Sequence, residues 1–287
     1  MDETMLRHAR HRVNGVELAA VEAGPHDGPL AILLHGFPDF WWGWRHQIGP
    51  LAAAGYRVLV PDQRGYNTSS KPFGISQYRL DALVGDVVGL ADALGHERFR
   101  LVGHDWGGIV AWGTALRHPG RVERLAVIDA PHPQVWSTVA LRHPTQALRS
   151  TYVALFQLPF FPEMLLRAGG FAALSRALSG SARPGMFSPD DLERYRRAWS
   201  QPRALTAMLN WYRALRFPAP GLPSRVRPPA LVIWGGRDSF LEPAMFRASL
   251  ALCDRGESLF LEHATHWVHL EEAATVNAAL RRFLGPA

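Results

Sequence analysis

Residues 103–108, Gly-His-Asp-Trp-Gly-Gly, place an acidic side chain among closely spaced glycines. The preceding run FRLVG (99–103) predicts a strand, and GGIVAWGTALRHP (107–119) predicts a helix. Asp105 should therefore lie at a sharp strand-to-helix turn, where the helix N-terminus favours an anion. A carboxylate is already ionised at pH 7 and can attack an electrophilic carbon directly. Asp105 could instead be a simple helix cap, but the glycines favour the nucleophile.

An ester formed on Asp105 would need an activated water molecule for its release. His266, in HATHWVHLEEA, follows the last apolar run of strand type, and Asp238, in IWGGRDSFLEP, follows the run before it. Ligands of parallel sheets bind at this edge. We predict that His266 activates water and that Asp238 orients its ring. Asp129, at the end of RLAVID, is the alternative third member.

A metal site is the other interpretation of this histidine-rich segment. His263, His266 and His269 recur at every third residue. The segment offers no carboxylate at convincing ligand spacing. We therefore expect neither a metal nor a cofactor.

Short apolar runs alternate with helix-length segments along the first and last parts of the chain. A helical pattern covers 76–95 and ends near Gly95, and the runs that predict strands are 30–34, 57–61, 99–103, 124–129, 230–235 and 258–262. Such alternation predicts parallel βαβ units and a doubly wound sheet covered on both faces.

The alternation stops after residue 129. The segments 146–158, 164–179 and 189–200 favour helix, and the proline-rich and glycine-rich stretch 218–229 then leads back to the strand pattern. We predict a core domain of residues 1–130 and 220–287, with a helical cap at 131–219.

Composition limits the kind of protein. The chain has 287 residues, 47% of them hydrophobic, and a formal charge of +6 from dispersed arginines. No basic stripe suggests nucleic acid, and no apolar run is long enough for a signal peptide or a bilayer span. The single cysteine, Cys253, fits a reducing compartment. We expect a soluble cytoplasmic protein with no nucleic-acid or membrane partner. A homodimer is possible from the sequence.

Four motifs together resemble the α/β-hydrolase-fold epoxide hydrolases. They are HGFP with WxxWR (35–45), PDQRGYNTSSKP (61–72), GHDWGG (103–108) and DAPHP (129–133). The resemblance implies a mostly parallel doubly wound sheet with an inserted helical cap. It also implies that Tyr152 and Tyr212, from the cap, donate hydrogen bonds to the epoxide oxygen. Asp129 stands where asparagine is common.

In this layout the backbone N–H groups of Phe37 and Trp106 form an oxyanion hole. We also expect His35, Pro38, Trp41 and Asp129 to line the substrate pocket.

The sequence therefore predicts an epoxide hydrolase that converts an apolar epoxide to a vicinal diol. Haloalkane dehalogenases are one alternative, but they usually have a halide-binding residue where Phe37 stands. Fluoroacetate dehalogenases are another, but they typically carry arginines after the nucleophile, where this chain has Trp106 and Ile109. A non-catalytic small-molecule binding protein of the same fold is the third.

Overall fold

A computed structural model describes residues 3–219 and 221–287. Its described part contains one eight-stranded sheet in the order β1-β2-β4-β3-β5-β6-β7-β8. The strands are β1 (Arg7–Val13), β2 (Val16–Ala23), β3 (Leu30–Leu34), β4 (Arg57–Pro61), β5 (Phe99–His104), β6 (Val122–Ile128), β7 (Ala230–Gly235) and β8 (Gly256–Leu261). The pairs β1·β2 and β2·β4 are antiparallel, and all the other pairs are parallel.

Helices flank the sheet and fill the segment between β6 and β7. They are α1 (Ile48–Ala53), α2 (Leu80–Ala93), α3 (Trp106–Arg117), α4 (Pro133–Arg142), α5 (Pro144–Arg149), α6 (Thr151–Leu155), α7 (Phe161–Gly180), α8 (Pro189–Ser200), α9 (Ala204–Arg213), α10 (Ala244–Leu250), α11 (Val268–Glu271) and α12 (Ala273–Leu284). Helix α7 is broken at 168–171, where the backbone leaves helical geometry. None of the helices in the described ranges is long and apolar enough to cross a membrane.

The predicted fold class is confirmed. Strands β3, β4 and β7 have the predicted bounds, and β5, β6 and β8 differ from them by one or two residues. These strands are recognisable because most of them are buried on both faces and read as continuous apolar runs. The segment 76–95 is divided into a 3₁₀ turn (Ile75–Tyr78) and α2, because Arg79 is extended.

The N-terminal hairpin of β1 and β2 was not among the predicted strands. Its turn is Asn14-Gly15, and both residues have positive φ, 48° and 75°. Asn-Gly is a strong signal for a two-residue hairpin turn. Strand β1 is largely exposed and rich in arginine and histidine, so it carries no apolar run.

We call residues 131–219, which contain α4 to α9, the cap. Buried hydrogen bonds join its second half to the core: Trp199 Nε1 to the Pro38 carbonyl at 2.6 Å, Tyr195 Oη to Asp39 at 2.8 Å, and Trp211 Nε1 to the Arg64 carbonyl at 2.9 Å. Its first half contacts the loop after β7, where Gln146 Nε2 donates to the Phe240 carbonyl at 2.9 Å.

Candidate active site

Asp105 occupies a strained turn between β5 and α3. Its φ of 51° and ψ of −122° are rare for a residue with a side chain. Glycines permit the turn, because a Cβ on Gly103 would lie 2.3 Å from the Gly107 carbonyl oxygen, and one on Gly107 would lie 2.2 Å from that of Leu34. The turn directs the carboxyl group out of the sheet edge.

The two oxygens of the Asp105 carboxylate have different neighbours. Oδ1 accepts a hydrogen bond from the Phe37 backbone N–H at 2.7 Å. Trp106 is the first residue of α3, so its N–H is one of the amides without an intrahelical acceptor. Oδ2 lies 3.6 Å from Nε2 of His266. One oxygen therefore faces the Phe37 amide, and the other faces the imidazole.

His266 is oriented by Asp238. Its Nδ1 lies 2.7 Å from Asp238 Oδ2, and both side chains are buried. The other carboxylate oxygen, Oδ1, accepts the backbone N–H groups of Phe240 (2.7 Å) and Leu241 (3.0 Å). These contacts assign the proton to Nδ1 and direct Nε2 towards Asp105.

The pair of His266 and Asp105 shifts the pKa values of both groups. Burial opposes charge on His266, but Asp238 and Asp105 outweigh it and raise its pKa well above the ordinary value. Burial also disfavours the charged Asp105, yet the nearby His266 holds the pKa of this carboxyl below its usual value. Asp105 is therefore ionised at neutral pH.

A cavity of about 250 Å³ lies between the core and the cap, and Asp105, Tyr152 and Tyr212 all line it. Most of its wall is apolar and includes Trp106, Ile109, Leu80, Leu83, Trp136 and Phe217. The cavity is large enough for a small organic molecule in contact with Asp105.

The two cap tyrosines lie side by side. Tyr152 comes from α6 and Tyr212 from α9, with ring centroids 5.9 Å apart in an edge-to-face arrangement. Phe156 packs on both rings, and Phe37 packs on Tyr212. Burial, with the nearby negative charges, raises the pKa of both phenols above the ordinary value. Both are therefore hydrogen-bond donors at neutral pH.

Three of the residues predicted to line the pocket lie outside the lining of this cavity. His35 is fully buried, and its ring bonds the Gly36 carbonyl and the Gln63 N–H. Pro38 accepts a hydrogen bond from Trp199, and Trp41 packs among aromatic rings. These residues shape the loop that carries Phe37, which corrects the prediction of substrate contact.

Asp129 does line the cavity, but His266 pairs with Asp238. Asp129 Oδ1 accepts the Gly235 N–H at 2.8 Å, and its Oδ2 has no protein partner. Burial, and then the charge of Asp238, raise the pKa of Asp129 well above its usual value. Asp129 is therefore harder to ionise than an ordinary carboxyl group, and it is Asp238 that pairs with His266.

The three histidines of the 263–269 segment diverge. His263 is exposed beside Arg237, and His266 faces Asp105. His269 lies behind them with His104 and Asp39, whose donor atoms are all buried and within 4.8 Å of one another. Sequence analysis missed His104 and Asp39 as parts of the site. Burial, and then the charge of His266, lower the pKa of His104 to about 3. Neutral His104 donates through Nε2 to the His266 carbonyl at 2.9 Å and so supports His266.

The fold and the site together define a capped α/β hydrolase with an aspartate at the nucleophile position. Residues 29–273 match the family of the α/β hydrolase fold. The chain is 47% identical to the AB hydrolase superfamily protein YfhM of Bacillus subtilis, over 94% of this chain and 95% of that protein. It is 34% identical to epoxide hydrolase A of Mycobacterium tuberculosis, over 94% and 95%.

Solved structures give the same result. The structure of the Bacillus megaterium epoxide hydrolase in complex with an inhibitor superposes with a TM-score of 0.89 at 29% identity, over 96% of this chain and 99% of that one. The chain belongs to the α/β-hydrolase-fold family and, within it, to the epoxide hydrolases. The resemblance inferred from the four motifs is confirmed, and the protein is a hydrolase.

Proposed function

We propose that the protein hydrolyses apolar epoxides to vicinal diols through an ester on Asp105. The observation that carries the proposal is the convergence of an ionised carboxylate and two protonated phenols on one cavity. An epoxide needs both, because one carbon must be attacked while the oxygen leaves as an alkoxide. The names of the M. tuberculosis and B. megaterium proteins support the same reaction.

In the first step Asp105 Oδ2 attacks one epoxide carbon, and the bond from that carbon to the ring oxygen breaks. Tyr152 and Tyr212 donate hydrogen bonds to this oxygen, and one phenol transfers its proton to the alkoxide. The phenolate later recovers a proton from water. A carboxylate suits this step because the ester it leaves can be hydrolysed, whereas a serine would leave a stable ether.

In the second step His266 Nε2 removes a proton from water, and the resulting hydroxide attacks Cγ of Asp105. Negative charge develops on Oδ1, which already faces the Phe37 N–H at 2.7 Å, and the Trp106 N–H completes the oxyanion hole. Asp238 stabilises the imidazolium through the 2.7 Å contact to Nδ1. Collapse of the intermediate releases the diol alkoxide, which takes the proton from His266. Asp105 is left as a carboxylic acid and loses its proton to water, which balances the proton that the phenolate took.

The intact mass of His266→Gln protein after incubation with a styrene-type epoxide tests this mechanism. Without the base, the ester should accumulate as an adduct of epoxide mass on the peptide that contains Asp105. His263→Gln is the matched control, because this histidine is exposed and outside the cavity; it should form diol and retain no adduct.

The alternatives give different results in the same experiment. An adduct formed only with haloalkanes would identify a dehalogenase. No adduct with epoxide or haloalkane, together with no diol from the unaltered protein, would support a binding protein without turnover.

A further inference from the structure

Five large apolar side chains are exposed within residues 158–165 of the cap. We call this group the cap patch: Leu158, Phe160, Phe161, Met164 and Leu165, with exposed fractions of 48%, 84%, 47%, 64% and 43%. Single exposed apolar residues are common on protein surfaces, but a contiguous group of large ones marks an interaction site.

The first turns of α7 present their apolar side to solvent. Phe160, Phe161, Met164 and Leu165 share one side of the helix because residues four apart lie above one another. On the other side Pro162 is buried and Glu163 is ion-paired. Leu166 also packs inward against the core. The first turns of α7 are therefore apolar on both sides, and the outward side leaves large apolar side chains exposed to solvent.

A buried arginine fixes the cap patch in this orientation. Arg213 donates to the carbonyls of Phe156 (3.0 Å) and Leu158 (2.7 Å), and it holds both Glu163 oxygens at 2.7 and 2.9 Å. Phe160, between these anchors, has a φ of 61°, which is rare for a bulky residue. The patch is thus held rigidly, and its exposure is part of the fold.

The chain segment that contains the patch is rich in arginine and poor in acids. Residues 142–180 contain Arg142, Arg149, Arg167 and Arg176 but a single acid, Glu163. Within the described ranges, Glu163 is paired with Arg213, and Arg149 is paired with Glu242. Arg167 and Arg176 are exposed and have no acidic partner in those ranges. Two arginines without an acidic partner in the described ranges therefore lie in the same helix as most of the patch, and Arg167 is only two residues from Leu165.

We propose that the cap patch binds the surface of an anionic lipid bilayer. Aromatic and aliphatic side chains can enter the boundary between headgroups and acyl chains, while nearby arginines contact lipid phosphates. A second copy of this chain fits less well, because a two-fold contact would bring the same cations together. This is a contact with the membrane surface, which requires no spanning helix, and it does not depend on the proposed reaction.

Sedimentation with lipid vesicles tests the proposal. The unaltered protein should sediment with vesicles of phosphatidylcholine mixed with phosphatidylglycerol, and much less with phosphatidylcholine alone. Phe160→Ser/Phe161→Ser should lower the partition coefficient by about tenfold or more, since it removes two aromatic side chains from the contact. The control Phe73→Ser removes an 81% exposed aromatic outside the cap, and it should sediment like the unaltered protein.

Two variants with the same change in net charge distinguish binding through the cap patch from general electrostatic attraction to the anionic vesicles. Arg167→Glu should weaken binding to the mixed vesicles several-fold. Arg281→Glu makes the same change in net charge on exposed core helix α12, and it should bind normally. Equal losses in the two variants, or no sedimentation of the unaltered protein, would overturn the proposal. A third result would also overturn it: light scattering shows a dimer that dissociates in Phe160→Ser/Phe161→Ser, and the unaltered protein does not bind vesicles. The patch would then contact a second copy of the chain.

Discussion

The two oxygens of the Asp105 carboxylate have different hydrogen-bonding environments. Oδ1 accepts the Phe37 amide at 2.7 Å, and Oδ2 faces His266 at 3.6 Å. In the proposed reaction Oδ2 forms the new bond and Oδ1 becomes the oxyanion. The amide that orients the nucleophile in the first step therefore stabilises the intermediate in the second, without movement of the loop.

Replacing the cap phenols should slow ester formation and leave the nucleophile intact. Tyr152→Phe and Tyr212→Phe each remove one hydrogen bond to the developing alkoxide, so each should lower the ester-formation rate about tenfold or more. The double variant should lose about 10³-fold to 10⁴-fold. Single-turnover measurement of ester formation checks this, with circular dichroism to verify the fold. An unchanged rate in the double variant would remove both phenols from the mechanism.

Ester formation should not slow as pH rises from about 7 to about 10. An ordinary phenol loses its proton near pH 10, but burial raises the pKa of Tyr152 and Tyr212 above that value. Loss of the His266 proton at high pH should raise the rate of ester formation, because it removes the positive charge that stabilises the Asp105 carboxylate before attack. Stopped-flow measurement of tryptophan fluorescence across this range gives the rate of ester formation. A rate that halves near pH 10 would show that a phenol titrates normally.

At the scale of the elements, closely packed glycines set the position of the Asp105 carboxylate. A Cβ on Gly36 would lie 2.3 Å from Asp105 Oδ1. Gly36→Ala should therefore displace the carboxylate and reduce diol formation at least about 100-fold, since small misplacements of reacting groups are costly. In Gly49→Ala, within α1, the new Cβ meets nothing within 4 Å. This control should retain activity and gain up to about 1 kcal/mol of stability. Equal activity in the two variants would contradict the argument.

The sequence predicts secondary-structure elements well where both faces of a strand are buried, because burial requires a continuous run of apolar residues. Strands β3, β4 and β7 are fully buried and have the predicted bounds. Strand β1 is exposed, so its apolar signal is absent, and only Asn14-Gly15 marks the hairpin. The triad residues were predictable because each follows a recognisable strand. Their catalytic roles stay predictions that the experiments above test.

The pocket was less predictable than the triad because its wall comes from distant segments. Leu80, Ile109 and Phe217 line one cavity, and no local spacing brings them together. The cluster of Asp39, His104 and His269 has the same origin. Conversely, the aromatic residue Trp41 near the nucleophile loop suggested substrate contact, whereas it packs inside the loop.

At the scale of the whole molecule, one buried ion pair joins four elements. Arg64 holds Asp86 of α2 through two hydrogen bonds of 2.6 and 2.8 Å, and it also donates to the carbonyls of Asn14 and Gln77. Its own carbonyl accepts Trp211 Nε1 from α9. The N-terminal hairpin, the 3₁₀ turn (Ile75–Tyr78) and α2 thus meet at the Arg64 side chain, and the cap joins them at the Arg64 carbonyl.

Arg64→Met should destabilise the protein by about 3–5 kcal/mol, because Asp86 would be left buried without its partner. Urea unfolding gives the free energy. Arg79→Met breaks an exposed pair with Asp81 at 3.8 Å and should change stability by about 1 kcal/mol or less. Similar losses of stability in the two variants would mean that burial of the Arg64–Asp86 pair does not determine its contribution to the free energy of unfolding.

The anchoring of the cap has a consequence for regioselectivity. Tyr152 lies beside α5, which Gln146 joins to the loop after β7, whereas Tyr212 lies on α9, which Trp211 joins to Arg64. The two phenols are therefore positioned by separate parts of the core. In the proposed reaction, displacing one phenol should turn the epoxide oxygen relative to Asp105 and bring the other ring carbon into line with Oδ2. Since attack inverts the carbon it strikes, the configuration of the diol reports the choice, and residues that never contact the substrate can control it.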